Sequence, residues 1–317
     1  MTIESTDLKL PGQVKKYTGK VRDVYILDDG RAVLVATDRL SAFDVVLSQQ
    51  IPYKGQVLNQ LSAYFLQATN DLVPNWLTTV PDPNVSIGKN AKPFPIEVVV
   101  RGVLTGSAWR KYQSGDRNIC GNILPDGMSE YQAFDQPKIT PTTKAMAGHD
   151  EDTTAQQIVD SGVATKQQWQ QIVDYTQVLF ARGQAMAAER GLVLADTKYE
   201  FGQYEDGTII IIDEIHTPDS SRYLYKKSYD NYLAGKQTSE PQQLSKEFVR
   251  KWLMEQGFSG QDGVKPPIFT EEFIKEISTK YIELYELLTG EVFSPDTAPD
   301  PLKRIETNLI SYIKENS

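Results

Sequence analysis

The chain opens in short apolar runs broken by turn residues and closes in long helical periods. Val24-Tyr-Ile-Leu27 and Ala32-Val-Leu-Val-Ala36 flank Asp28-Asp-Gly30, which predicts a β-hairpin inside a run of strands from about 14 to 47. From 57 to 72 the period lengthens, and Leu58, Leu61, Tyr64, Phe65 and Ala68 fall on one helical face. Pro74 to Pro95 reads as loops and short strands, and Ile96-Glu-Val-Val-Val-Arg101 as a strand. Gly102 to Gly106 is expected to turn the chain, with Ser107 capping a helix through Tyr112. Residues 114–150 show little period and read as a long ordered loop region. Thr165-Lys-Gln-Gln168 has the form of a capping box opening a helix of roughly 24 residues that ends at Gly191. Further helices are expected over 245–256, 271–289 and 300–315.

Between these helices lies Leu194-Ala-Asp-Thr-Lys-Tyr-Glu-Phe-Gly202. In a strand, alternate side chains share a face, so Asp196, Lys198 and Glu200 project together. A second apolar run, Ile209-Ile-Ile-Ile-Asp-Glu-Ile215, follows Tyr204-Glu-Asp-Gly207, and Asp-Gly is a strong hairpin signal. A two-residue turn at Asp206-Gly207 pairs Glu205 with Thr208 and sets Glu200 opposite Asp213. Carboxylates about 5 Å apart on one face repel unless a cation lies between them. Hard oxygen donors with few other ligands nearby point to Mg2+ held partly by nucleotide phosphates.

The 317 residues suffice for two domains, and the net charge of -9 argues against a nucleic-acid partner. Cys120 is the only cysteine, and His149 and His216 the only histidines, so cysteine- or histidine-built metal sites are not expected. The N-terminus lacks the pattern of a signal peptide and no long apolar span occurs, so a cytoplasmic protein without membrane contact is expected. The order of elements suggests an α+β enzyme, with a β-rich nucleotide-binding lobe over 1–113 and an α+β lobe over 114–317. Neither a dinucleotide fingerprint nor a Gly-x4-Gly-Lys-Ser/Thr loop is present, and no serine-hydrolase elbow. Oligomeric state is open, with a monomer favoured.

Several segments carry candidate chemistry, each beside a plainer alternative. In Tyr17-Thr-Gly-Lys-Val-Arg-Asp-Val-Tyr25, Lys20 and Arg22 share a face suited to phosphate oxygens, while Val21 and Val24 offer apolar surface to a base; an ordinary hairpin with solvated basic residues has the same pattern. Arg101 and Ser107 together fit a phosphate monoester at a helix start; alternatively Arg101 pairs with Glu97 and Ser107 is only a cap. Arg222, in the loop after Asp213, is a second phosphate clamp or a solvated arginine. Thr140 to Glu151, with Lys144, and Asp38-Arg-Leu-Ser-Ala-Phe-Asp44, with Asp38 and Ser41, are polar loops that can serve a small zwitterion or simply face water.

Together these segments resemble the phosphoribosylaminoimidazole-succinocarboxamide synthase (SAICAR synthetase) family. The likeness is closest at Phe94 to Ser107 and Leu194 to Gly202, and extends in order through Gly19-Lys-Val-Arg-Asp23, Asp38 to Asp44, Thr140 to Glu151 and Asp213 to Arg222. The resemblance implies a small antiparallel β-rich lobe over a larger α+β lobe with C-terminal helices, and a nucleotide cleft of the ATP-grasp or kinase-like kind. It implies an ATP-dependent ligase joining CAIR, the carboxylated aminoimidazole ribonucleotide, to L-aspartate, with release of ADP and phosphate. On this likeness Lys20, Arg22 and Val24 contact ATP, and Glu200 and Asp213 hold Mg2+. Arg101, Ser107 and Arg222 hold the ribonucleotide phosphate, with Asp196 and Lys198 at its carboxylate; Lys20, Lys198 and Asp196 are the catalytic candidates. Lys144, Asp38 and Ser41 are placed by position alone as contacts for L-aspartate. Ser245-Lys-Glu247 stands where relatives often carry Asp-Lys-Gln, a change that helix capping by Ser245 accounts for, with Lys246 and Arg250 kept. The competing classes are a small-molecule kinase of the related inositol polyphosphate kinase kind and a non-catalytic nucleotide-binding protein.

Overall fold

The computed structural model describes residues 1–144, 150–261 and 263–316. His149 and its neighbours 145–149 in the Thr140–Glu151 segment lie outside the described residues.

In chain order the first elements are β1 (Gln13–Thr18), β2 (Arg22–Leu27), β3 (Arg31–Ala36), β4 (Arg39–Ala42), β5 (Val45–Gln50) and α1 (Lys54–Ala68). Then come β6 (Leu77–Asp82), β7 (Val85–Lys89), β8 (Lys92–Pro93), β9 (Ile96–Val103) and α2 (Gly106–Gln113). Next are β10 (Asn118–Ile119), β11 (Asn122–Ile123), β12 (Ala133–Thr143), α3 (Ala155–Asp160), α4 (Lys166–Glu189) and β13 (Leu192–Gln203). The remainder is β14 (Ile209–Ile212), β15 (Ser221–Tyr225), α5 (Lys226–Leu233), β16 (Gln243–Leu244), α6 (Glu247–Glu255), α7 (Glu271–Thr289) and α8 (Pro301–Glu315).

Two antiparallel sheets organise the chain. The first runs β1-β2-β3-β7-β6; the second runs β12-β9-β13-β15-β16, with β14 and β8 also paired to β13. β9 precedes residue 114 while β12 and β13 follow it, so the second sheet draws strands from both sides of the expected division. The first sheet packs Tyr25, Val33, Val35 and Ile87 against Ile3, Leu8 and Leu10 from the N-terminal segment and against α8. Ile305, Leu309 and Ile313 recur every four residues on α8, which gives that helix one apolar stripe to bury there. Arg304 fastens it by a forked pair on Asp82 at 2.9 and 3.1 Å. The larger core joins α1, α4 and α7 to the inner face of the second sheet through Leu58, Phe65, Ile172, Leu179, Tyr199, Phe201 and Tyr281.

Three local expectations change. The segment expected as a loop region, 114–150, is not one over its described part: β12 occupies 11 of residues 114–144 and pairs along β9. Pro137 and Pro141 hid it, and both are tolerated because β12 is an edge strand. Ser107 does not cap α2; Thr105 is the N-cap, and Ser107 lies within the first turn. The β13–β14 hairpin also has a different turn. The Tyr204 N–H bonds the Thr208 carbonyl at 2.9 Å and the Gly207 N–H bonds the Tyr204 carbonyl at 2.9 Å, with Gly207 at φ 87°. This is a type I turn followed by a left-handed glycine that adds one residue to the connection. The register therefore slips by one, Glu200 faces Ile212, and Asp213 lies beyond the strand at φ 61°.

Candidate active site

β13 has a neighbour on each side through its first half, and that double register builds the first cluster. Asp196 lies opposite Arg101 on β9 and opposite Arg222 on β15. Its Oδ2 takes Arg101 Nη1 at 3.2 Å and the Arg222 guanidinium from the other side. Arg101 also donates to Ser107 Oγ at 3.1 Å and Thr140 Oγ1 at 3.0 Å, so it does not pair with Glu97. Arg222 reaches on to Glu247 Oε2 at 3.0 Å, which Arg250 meets at 3.1 Å, while Arg110 approaches Glu247 Oε1 at 3.5 Å. Within these ion pairs four guanidinium groups meet two carboxylates, an arginine excess around Asp196 and Glu247. Burial alone would raise the Glu247 carboxyl, but Arg222 and Arg250 pull it down to about 2. Gly106 makes room for this arrangement. It sits at φ 59°, and a Cβ there would fall 2.5 Å from Arg222 Nη2.

Along the same strand face a second cluster follows. Lys198 Nζ lies 2.6 Å from Glu97 Oε1 and 2.8 Å from Glu200 Oε1, and Lys144 meets the other oxygen of Glu200. From the first sheet Arg22 reaches across to Asp213 at 3.3 Å and to Glu214. Lys198, Lys144 and Arg22 face Glu97, Glu200, Asp213 and Glu214, three cations against four carboxylates. The imbalance has a chemical signature. Burial tends to raise the Glu200 carboxyl, yet Lys198 and Lys144 draw it down to about 2; the Asp213 carboxyl is raised by burial and by the charges of Glu200 and Glu214, against Arg22. One more cation would complete the set, and the donors are the hard oxygens that suit Mg2+. Among the described residues no group of three or more His, Cys, Asp or Glu side chains is arranged to hold a metal ion by itself. The expected pairing of Glu200 with Asp213 across the hairpin is not formed; what links the two carboxylates is the charge of Glu200, which helps raise the Asp213 carboxyl.

The loop that presents Asp213 and Glu214 is anchored from beneath. Trp76 Nε1 donates to the Asp213 carbonyl at 2.9 Å, and Tyr223 Oη to the His216 carbonyl at 2.9 Å. Asp219 is buried against Lys54 Nζ at 2.9 Å, Lys246 Nζ at 3.4 Å and Tyr281 Oη at 2.5 Å. His216 is fully buried, 2.5 Å from Tyr199 Oη and close over Gly183 of α4. Burial holds its imidazole neutral, with the pKa lowered from 6.5 to about 3. The unfolded chain therefore takes up a proton at higher pH than the folded one, so this stability is present above pH 6.5 and drains as pH falls toward 3. Urea unfolding at pH 6.5 and 5.5 is expected to show a loss of about 1 kcal/mol that His216→Gln abolishes. An identical slope in the variant would show that another group titrates.

Other expected residues have separate tasks. Lys20, half exposed at the β1–β2 tip, pairs with Asp44, and Val24 is buried in β2. Both oxygens of Asp38 accept backbone N–H groups, from Ile3 at 2.8 Å and Gly55 at 2.9 Å, so this carboxylate ties the N-terminal segment to α1. Ser41 is buried in β4 opposite Val46. Lys144 belongs to the Glu200 cluster. Sequence reasoning missed Glu97, Glu214 and Glu247 as site groups. Glu247 pairs with Arg250 one turn on, and Ser245 accepts the Glu247 N–H at 3.2 Å; Ser245 is not the helix cap, however, because the N-cap of α6 is Lys246, which has no side-chain cap bond.

The SAICAR synthetase family matches residues 15–267 of the chain. A phosphoribosylaminoimidazole-succinocarboxamide synthase of Bacteroides thetaiotaomicron is 53% identical over 315 residues, 99% of each chain. The chain belongs to the SAICAR synthetase family. A second relative of that name in Flavobacterium psychrophilum is 50% identical over 314 residues, again 99% of each chain. The SAICAR synthase of Saccharomyces cerevisiae, solved in complex with SAICAR, superposes with a TM-score of 0.78 at 33% identity, covering 93% of this chain and 100% of the yeast one. A SAICAR synthetase solved with ADP shares the fold, with a TM-score of 0.68 at 22% identity over 89% of this chain and 100% of its own. SAICAR synthetases thus share the mixed α and β architecture described here.

Proposed function

We propose that the two clusters along β13 are the two halves of one ligase site. Family membership makes the chain an ATP-dependent ligase of purine biosynthesis, condensing CAIR with L-aspartate to give SAICAR, ADP and phosphate. The observation that carries the residue assignment is the arginine surplus around Asp196. A doubly charged phosphate monoester matches that surplus, and forked guanidinium donors with the Ser107 hydroxyl suit its oxygens. Arg101, Ser107 and Arg222 hold the ribonucleotide phosphate, with Arg110 and Arg250 at its rim. Asp196, held between those arginines, and Lys198, the next residue on its strand face, lie at the acceptor carboxylate.

A carboxylate is a poor electrophile. Transfer of the γ-phosphoryl group of ATP to one of its oxygens releases ADP and gives an acyl phosphate. The amine of aspartate then adds to the acyl carbon, phosphate leaves, and the nitrogen loses a proton to form the amide. The protein's part is to position the groups and neutralise charge. Lys198 remains a cation throughout, because Glu200 and Glu97 outweigh the effect of burial and hold its pKa well above the ordinary value. Lys20 and Arg22 approach the phosphates from the first sheet, with Val24 toward the base, so the nucleotide cleft lies between the two sheets. Glu200 and Asp213 would hold Mg2+, which when bound neutralises phosphate charge during transfer.

The kinase alternative is not favoured, because the whole chain aligns with the ligases. An assay with CAIR, ATP, Mg2+ and L-aspartate is expected to form SAICAR and ADP in equal amounts. ADP release without incorporation of aspartate would defeat the ligase reading.

A further inference from the structure

A buried arginine outside both clusters grips the β1–β2 turn from behind. Lys20 and Val21 form the tip of that hairpin, closed by a bond from the Gly19 N–H to the Arg22 carbonyl at 2.7 Å. Arg39 donates from Nη2 to the Gly19 carbonyl at 3.1 Å and from Nε to the Lys20 carbonyl at 3.1 Å. Thr37 takes the next carbonyl, that of Val21, with its N–H at 3.0 Å and its hydroxyl at 2.9 Å. Three successive carbonyls are therefore drawn to one side.

The guanidinium is itself fixed. Its Nη2 also meets Asp23 Oδ1 at 2.8 Å, and its Nη1 donates to the Glu4 carbonyl. Asp23 is completely buried, and its other oxygen accepts the Thr6 N–H at 2.6 Å and the Thr6 hydroxyl at 2.8 Å. The fork thus ties the turn to β2 and to the N-terminal segment, where an ammonium group would lack the reach to span all four acceptors.

The peptide bond is planar and trans, so an N–H points opposite to the carbonyl before it. With the Gly19 and Lys20 carbonyls turned toward Arg39, the N–H groups of Lys20 and Val21 face the other way. Successive N–H groups aimed outward beside a lysine form a concavity that receives anions. We infer that Arg39 is a positioning residue that holds the Gly19–Arg22 turn, with Lys20, in its phosphate-receiving form. The inference rests on the reading that Lys20 faces the ATP phosphates.

The test compares Arg39→Lys, Thr37→Val and Lys20→Ala in the full chain, with binding of ATP, inorganic tripolyphosphate and CAIR measured by calorimetry. Arg39→Lys is expected to weaken ATP and tripolyphosphate about tenfold and Thr37→Val about threefold. CAIR affinity stays within about twofold, since its phosphate lies on other arginines. In steady state the KM for ATP rises while that for CAIR holds. If Lys20→Ala weakens tripolyphosphate and Arg39→Lys and Thr37→Val do not, the positioning role is overturned and the reading of Lys20 stands. If Lys20→Ala has no effect, that reading fails and takes the inference with it. Equal loss of ATP and CAIR binding also overturns it, because a general loosening of the fold gives that pattern. Should Arg39→Lys fail to fold, Thr37→Val decides by the same comparison.

Discussion

Arg222→Met is expected to raise the KM for CAIR by two to three orders of magnitude and to lower folding stability by about 3 kcal/mol. The two losses have one origin. Arg222 lies buried between Asp196 and Glu247, and its pKa is raised because those carboxylates outweigh the effect of burial. Methionine fills much of the volume but leaves Asp196 and Glu247 facing each other across a site that has lost one of its charges. The phosphate loses a forked donor at the same time, and each hydrogen bond to a charged group is worth about 1.5 to 3 kcal/mol. Arg222→Lys separates the effects, since it restores charge without the fork and should recover stability more fully than KM. Chemical unfolding and steady-state kinetics with CAIR varied check both numbers. A KM within threefold of the parent in Arg222→Met would remove Arg222 from the phosphate site.

Glu200→Gln is expected to raise the Mg2+ concentration needed for half-maximal rate at least tenfold and to lower kcat by about two orders of magnitude. Glutamine keeps the shape and one acceptor oxygen but gives up the charge that Lys198 and Lys144 neutralise. Three cations then face three carboxylates, and the excess negative charge that attracts a divalent cation is gone. Glu97→Gln serves as the contrast. It removes the other partner of Lys198 at 2.6 Å while leaving Glu200 and Asp213 in place, so its Mg2+ dependence should stay near that of the parent. Titration of activity with Mg2+ at saturating ATP and CAIR checks the pair of variants. An unchanged Mg2+ requirement in Glu200→Gln would remove that carboxylate from the metal site.

Sequence patterns reached the elements whose signals are local. Thr165 and Gln168 do form a capping box at the start of α4, and α7 runs from Glu271 to Thr289 after its cap at Thr270. β12 was lost because prolines on an edge strand look like loop residues until the partner strand is known. The shared face of Asp196, Lys198 and Glu200 followed from strand period alone. What the sequence did not contain was the identity of the opposing side chains. Asp196 has an arginine on either side because β9 and β15 arrive from far along the chain, and Glu247 comes from a helix beyond both. The turn at Gly207 illustrates a finer limit. Asp-Gly fits both a two-residue turn and a three-residue turn with a left-handed glycine, and one residue of difference moves Asp213 off the strand.

The continuity of β13 has a metric consequence. Asp196 and Glu200 stand four residues apart on one uninterrupted strand, and an extended chain advances about 3.3 Å per residue. On the proposed assignment, the anchors for the two reactants are therefore separated by about 13 Å of backbone whose length cannot be tuned by side-chain substitution. Exchange of residues along the strand can alter what is held at either mark, but the interval between the marks belongs to the peptide chain itself. In the proposed site β13 acts as a ruler that sets the spacing of the two reactants.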